Sequence, residues 1–130
     1  MAQRGVITGH ISVAGEAVLL LTIHGKAGRR FEFHTVIDTG YNGQVSLPPQ
    51  VIHDLGLGWI REDLGTLADG SRTRFDVYRA TLFWLGRPRL IRVDAMDSPP
   101  TIGTELLHGH TLHAAWIPGG LVTIAPLSES

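Results

Sequence analysis

The strand that runs into an acid constrains this chain more than any other stretch. Phe31, Phe33, Thr35 and Ile37 alternate with Glu32, His34, Val36 and Asp38, the two-residue period of a β-strand whose two faces meet different surroundings. The alternation delivers Asp38 on the face opposite Ile37, directly after the β-branched pair Val36-Ile37. A carboxylate at the end of an apolar strand is costly unless something hydrogen-bonds it or uses it. Thr39 and Gly40 follow, and the glycine lets the backbone turn sharply and approach other groups closely. On the residues alone Asp38 has a plainer explanation as well, because aspartate often caps its own turn through the amides that follow it.

The rest of the chain reads as short strands cut by glycine-rich turns. Residues 6–13 and 17–24 are rich in Val, Ile and Leu and parted by Gly15-Glu16, and Gly25-Lys26-Ala27-Gly28 is a turn by composition. Asn42-Gly43 can take positive φ and is a strong tight-turn signal, and Gln44 to Leu47 is a short strand. Pro48-Pro49 starts a helix through Val51, Ile52 and Leu55, stopped by Gly56. Strands at about 60–68 and 71–85 flank Asp69-Gly70, a type I′ hairpin signal, and Gly86-Arg87-Pro88 turns the chain into Leu90 to Ala95. A helical turn or two over Thr104 to His108 ends at Gly109. The final pair, His110 to Ile117 and Leu121 to Ala125, is joined by Pro118-Gly119-Gly120. Many short strands with two brief helices make an all-β, barrel-like domain.

With 130 residues, the chain is expected to form one domain over 1–130. A hydrophobic share of 43% and a mean hydropathy of +0.11 fit a folded soluble protein. The formal net charge of −1 gives no electrostatic case for a nucleic acid or membrane partner. There is no cysteine, which removes disulfides, thiolate metal sites and cysteine nucleophiles. The N-terminus lacks the charged region and apolar run of a signal peptide, and nothing approaches a membrane span, so a cytoplasmic protein is expected.

Val36-Ile37-Asp38-Thr39-Gly40 resembles the active-site triplet of the retropepsin-like aspartic proteases, in which apolar residues precede Asp-Thr-Gly. Leu47-Pro48 and the helix-like stretch after it belong to the likeness. So does Pro100-Thr101-Ile102-Gly103-Thr104-Glu105-Leu106-Leu107, which is similar to the family's apolar-apolar-Gly and short helix, with Thr101 in the first apolar place. The resemblance runs over residues 16–127. It is nearest to the small single-lobe microbial group, whose triplet is followed by an aromatic residue, as by Tyr41 here, where many aspartic proteases carry Ala or Ser. It implies a retropepsin-like closed barrel, a single aspartic-protease lobe with one or two short helices, and a faint repeat in which Ile102-Gly103-Thr104 echoes Asp38-Thr39-Gly40.

The chemistry implied is peptide hydrolysis by an Asp-activated water without a cofactor or metal. Two carboxylates sharing one proton can serve as base and acid together, because like charges a few ångström apart cannot both ionise. Only one Asp-Thr-Gly occurs, so one chain supplies half a dyad, and a two-fold homodimer that sets Asp38 beside its own copy is the economical completion. In the family the threonine hydroxyl bonds across the dimer axis and the glycine amide donates to the carboxylate, which implies those roles for Thr39 and Gly40. The Asp69-Gly70 hairpin matches the family's flap, with Ala68, Asp69, Gly70 and Ser71 against a peptide or protein substrate bound in strand fashion. The apolar Leu121 to Ala125 is the candidate for an interface strand at the chain terminus.

Other readings compete. A catalytically inactive peptide-binding or scaffold dimer can use the same fold. His108, His110 and His113 invite a metal-dependent hydrolase, but the short helix and the strand separate their directions, and structural roles are favoured. Ser46, Ser71 and Ser98 lack a nucleophile-elbow pattern. Trp59, Trp84 and Trp116 read as core or interface aromatics.

Overall fold

Why the chain closes on itself begins with β2 (Ala17–His24), whose alternate residues Ala17, Leu19, Leu21 and Ile23 are all buried. A strand with one apolar face needs a cover, and this chain supplies it by wrapping its own sheet around that face. The computed structural model describes residues 5–67 and 69–127. Before β2 comes β1 (Ile7–Ile11). After it come β3 (Arg30–Ile37), β4 (Val45–Leu47), helix α1 (Pro49–Leu55), β5 (Gly58–Thr66), β6 (Arg72–Trp84), β7 (Arg87–Ala95), β8 (Thr101–Ile102), helix α2 (Thr104–Leu107), β9 (His110–Ala114) and β10 (Leu121–Pro126).

Strands β6, β7, β4, β8, β3 and β2 are hydrogen-bonded in that order, and β6 returns to β2 through Thr22↔Phe83, Ile23↔Leu82 and His24↔Thr81. The ring is therefore closed, the all-β barrel with two short helices that was expected. Inside it lie Leu19, Ile23, Val45, Leu82, Val93 and Ile102, all withdrawn from water. Most of the ring is antiparallel, but β3–β8 and β4–β7 are parallel, and β8 sits between β3 and β4. This arrangement brings the ends of two strands distant in sequence side by side. Helix α1 starts on proline and stops at Gly56, whose φ of +65° is the left-handed cap a side chain disfavours.

Two expectations need correction. The segment Leu121 to Ala125 is not a free interface strand: β10 lies between β1 and β9 of its own subunit, paired on both edges, and the outer edge of that arm is β9. Asp69-Gly70 is not a two-residue type I′ turn. The closing bond runs from the Leu67 N–H to the Ser71 oxygen, the Gly70 N–H donates to the Leu67 oxygen, and only Gly70 of the Asp-Gly pair has positive φ. That is a three-residue loop with the glycine in its left-handed position. The primed two-residue geometry falls instead at Leu85-Gly86, both at positive φ, between the paired Trp84 and Arg87. Among the described residues, no helix is long and apolar enough to cross a membrane.

Candidate active site

The parallel pairing of β3 with β8, Val36↔Thr101 and Ile37↔Ile102, carries the chain to Asp38 on one strand and to Gly103 on its neighbour. The Asp38 N–H continues the ladder onto the Ile102 oxygen at 3.0 Å. Beyond this point the strands part, and their loops hold one another. The Gly103, Thr104 and Glu105 amides at the head of α2 donate to the oxygens of Gln44, Tyr41 and Gly43 at 3.0, 2.9 and 3.2 Å. The two segments that the resemblance pairs as a faint repeat are thus direct neighbours. Gly103 is buried between them, and a Cβ there would collide with the carbonyl oxygens of Tyr41 and Gly43. Glycine is needed at this position for close approach rather than for an unusual φ.

Asp38, Thr39 and Gly40 form an exposed turn on this rigid base. The Gly40 N–H donates to Asp38 Oδ1 at 2.8 Å, and the Tyr41 N–H donates to the Asp38 carbonyl at 3.1 Å. One bond thereby answers both readings of the aspartate: it caps its own turn, and a glycine amide supports its carboxylate. Among the described residues, no hydrogen bond engages Asp38 Oδ2 or the Thr39 hydroxyl, which leaves one carboxylate oxygen and one donor facing outward.

Tyr41 follows the turn directly. Its half-buried side chain reaches β7, and its hydroxyl donates to Asp94 Oδ2 at 2.5 Å. Burial, reinforced by the bond to Asp94, pushes the Tyr41 hydroxyl far above its ordinary pKa, so it stays a donor. Burial also pushes the Asp94 carboxyl upward, and the Tyr41 hydrogen bond partly reverses that rise. Gly43 makes room for the pair: a Cβ there would lie 2.7 Å from Asp94 Oδ2. Neither Asn42 nor Gly43 uses the positive φ open to it. Asp94 is the site residue that sequence reasoning passed over, since its only local mark was the lack of a following Thr-Gly.

Above this latch lies an open cavity of 410 Å³, within the size range of ligand pockets. Gly40, Tyr41 and Asp94 line it from the loop side, and Arg61, Asp63 and Thr66 line it from the β5–β6 hairpin. Two of these strand residues are joined to each other, Arg61 Nε to Asp63 Oδ1 at 3.0 Å. Of the Asp38 turn only Gly40 reaches this space; Asp38 and Thr39 do not line it, nor do Asp69, Gly70 and Ser71 at the hairpin tip. At the hairpin tip Asp69 Oδ1 accepts from the Ser71 hydroxyl at 2.5 Å and from the Ser71 N–H at 2.8 Å, and these bonds hold the Asp69 carboxyl below its ordinary pKa. Gly70 stands exposed at φ +85°. Ala68, the remaining expected flap residue, lies outside the described residues.

His108 lies just past α2 as its C-cap rather than within the helix, and His110 and His113 are both on β9. His110 Nε2 accepts from the Trp84 indole N–H at 3.0 Å, and its Nδ1 lies 2.9 Å from the His108 carbonyl. The Trp84 contact makes Nε2 an acceptor, which suits Nδ1 as donor to the His108 carbonyl. Trp84 is the core tryptophan, whereas Trp59 and Trp116 are more than half exposed.

No protein-family model matches this chain, and a search of curated proteins found no match. Among solved structures the chain is similar to the solution structure of the Simian Foamy Virus (mac) protease. The two share 19% identity at a TM-score of 0.47, over 68% of this chain and 90% of that one.

Proposed function

We propose that this chain is a retropepsin-like aspartic endopeptidase that works as a two-fold homodimer, each subunit contributing Asp38. The observation that carries the reading is the Asp38 turn itself. An exposed carboxylate is fixed by the Gly40 amide, the turn is clamped to the Ile102-Gly103 segment by main-chain bonds, and its Gly40 lines a cavity shared with the β5–β6 hairpin. Rigid support below and a hairpin above are what a group needs if it is to act on a bound chain rather than fold the protein.

In the dimer the two Asp38 carboxylates share one proton. The ionised member takes a proton from a water held between them, and the resulting hydroxide attacks the scissile carbonyl carbon. The protonated member donates to the carbonyl oxygen, giving a neutral diol. The carboxyl that took the water's proton then passes it to the amide nitrogen while the other carboxylate takes a diol hydroxyl proton. The C–N bond breaks to release acid and amine, and the dyad again holds one proton. Thr39, with its hydroxyl outward, joins the two turns across the axis. The Gly40 amide stabilises the ionised carboxylate, a charge-assisted bond stronger than a neutral one. The peptide lies extended beneath the hairpin, paired through main-chain groups near Gly70 and Ser71.

Asp38→Asn tests this. The amide keeps the shape and an oxygen to accept from Gly40 but removes the charge and the shareable proton. Hydrolysis of unstructured peptides should vanish while the dimer and the melting temperature are kept. The wild type should show a bell-shaped acid-side pH profile whose two apparent pKa values belong to the pair. Undiminished hydrolysis by the pure variant ends the assignment. Peptide binding without turnover in both proteins moves it to a binding dimer.

A further inference from the structure

The cavity beside the Asp38 turn carries an unbalanced charge. Asp63, Asp94 and Glu105 line it against Arg61 and Arg92, three acids to two bases. Both arginines are already committed: Arg61 to Asp63, and Arg92 to Glu105 across to α2. Asp94 makes no direct ion pair among the described residues: Arg92 and Arg61 act on its charge only at longer range, and the Tyr41 hydroxyl holds it through Oδ2. Its second oxygen and the remaining lone pair of Oδ2 have acceptor capacity to spare. The carboxylate is half-buried, and burial raises its pKa, so a cation brought against it would offset a cost the fold already bears. Phe75 and Met96 also line the cavity and supply apolar wall near the charged floor.

A long basic side chain has this same division, an aliphatic stem that packs on apolar surface and a charged tip that seeks an acceptor. We infer that the Asp94 cavity is a specificity pocket for a lysine or arginine side chain of a bound peptide, the stem lying on Phe75 and Met96 and the tip pairing with Asp94. The inference rests on the proposed function only in that the peptide is a substrate; recognition needs no catalysis. An acidic peptide side chain is rejected by the same arithmetic, because the cavity's arginines are neutralised and Asp94 is not. Tyr41 takes part by aiming the carboxylate and holding the floor in place.

The test uses the full-length Asp38→Asn protein, so that binding is read without turnover. The probes are octapeptide libraries in which one position is fixed as lysine, arginine, norleucine or glutamate in a random background, followed by fluorescence polarisation. At one fixed position the basic libraries should bind about tenfold more tightly than norleucine, with glutamate weakest, as expected for a charge pair in a partly desolvated site. Adding Asp94→Asn, which keeps an acceptor for Tyr41, should erase the difference between lysine and norleucine. Should that variant not fold, raising salt to about 0.5 M should shrink the basic preference in the Asp38→Asn protein, because partly exposed pairs are screened. Equal binding of lysine and norleucine at every position overturns the inference, as does a preference untouched by both Asp94→Asn and salt. A basic preference found in a protein whose wild type hydrolyses nothing leaves the inference standing and removes the peptidase instead.

Discussion

Replacing Tyr41 with Phe removes one oxygen and the bond it donates to Asp94 Oδ2 at 2.5 Å. Hydrogen bonds to charged groups contribute about 1.5–3 kcal/mol. Both partners are half-buried rather than sealed, so water can reach the released carboxylate, and the loss belongs at the low end, about 1.5 kcal/mol. For a domain of this length that lowers the melting temperature by roughly 5 °C. The pH dependence has a definite sign. Burial holds the folded Asp94 pKa above its ordinary value and the Tyr41 bond draws it partly back, so the substitution lets it rise further. A carboxyl with a raised folded pKa contributes stability that is fully present below the unfolded value of about 3.9 and is lost as pH climbs through the folded value. The Phe variant loses more over that climb than the wild type. Urea denaturation of both proteins at neutral pH and near pH 4 reads this directly: the gap should be widest at neutral pH and narrow in acid. Equal stability at neutral pH, or a gap of constant size, would refute the argument.

Gly103→Ala should destabilise the protein by about 2–3 kcal/mol, as overpacking against immovable groups does, since the new methyl meets the Tyr41 and Gly43 carbonyls; denaturation measures it, and an unchanged midpoint contradicts the close approach. Gly70→Val meets no neighbouring atom but must hold φ +85°, a local strain of about 1–3 kcal/mol. It should lower the melting temperature by several degrees and weaken peptide turnover, and an unchanged melting temperature would contradict the strain. Amide exchange at Gly70 and Ser71 should slow when a tight peptide ligand binds, and equal exchange with and without ligand would deny the hairpin its role as a lid.

The features legible in the sequence were those written in consecutive residues. The period of Phe31 to Asp38, the proline start and glycine stop of α1, and the apolar-apolar-glycine at 101–103 are local, and each emerged where it was expected. The bond from Tyr41 to Asp94 spans 53 positions. It depends on the parallel pairing of β4 with β7, which sets Ser46 beside Asp94, and no run of residues announces such a register. Asn42-Gly43 is ambiguous because glycine has two uses. Its sequence signal allows positive φ, and the fold employs it for space beside Asp94. Asp69-Gly70 suits both two- and three-residue loops, and the Leu67–Ser71 closure decides between them. The placement of β10 between β1 and β9 turned on which edge was free, a property of the assembled sheet rather than of the strand.

The central claim is that one catalytic centre needs an Asp38 from each of two subunits. Mixing wild-type and Asp38→Asn subunits under conditions of free exchange tests it most directly. With equal amounts, random pairing leaves about one quarter of the dimers with two aspartates. Activity per total protein should therefore fall to about a quarter of the all-wild-type value, following the square of the wild-type fraction. Activity that falls only to about half, in proportion to the wild-type subunits present, would mean that each chain acts alone and would contradict the shared dyad.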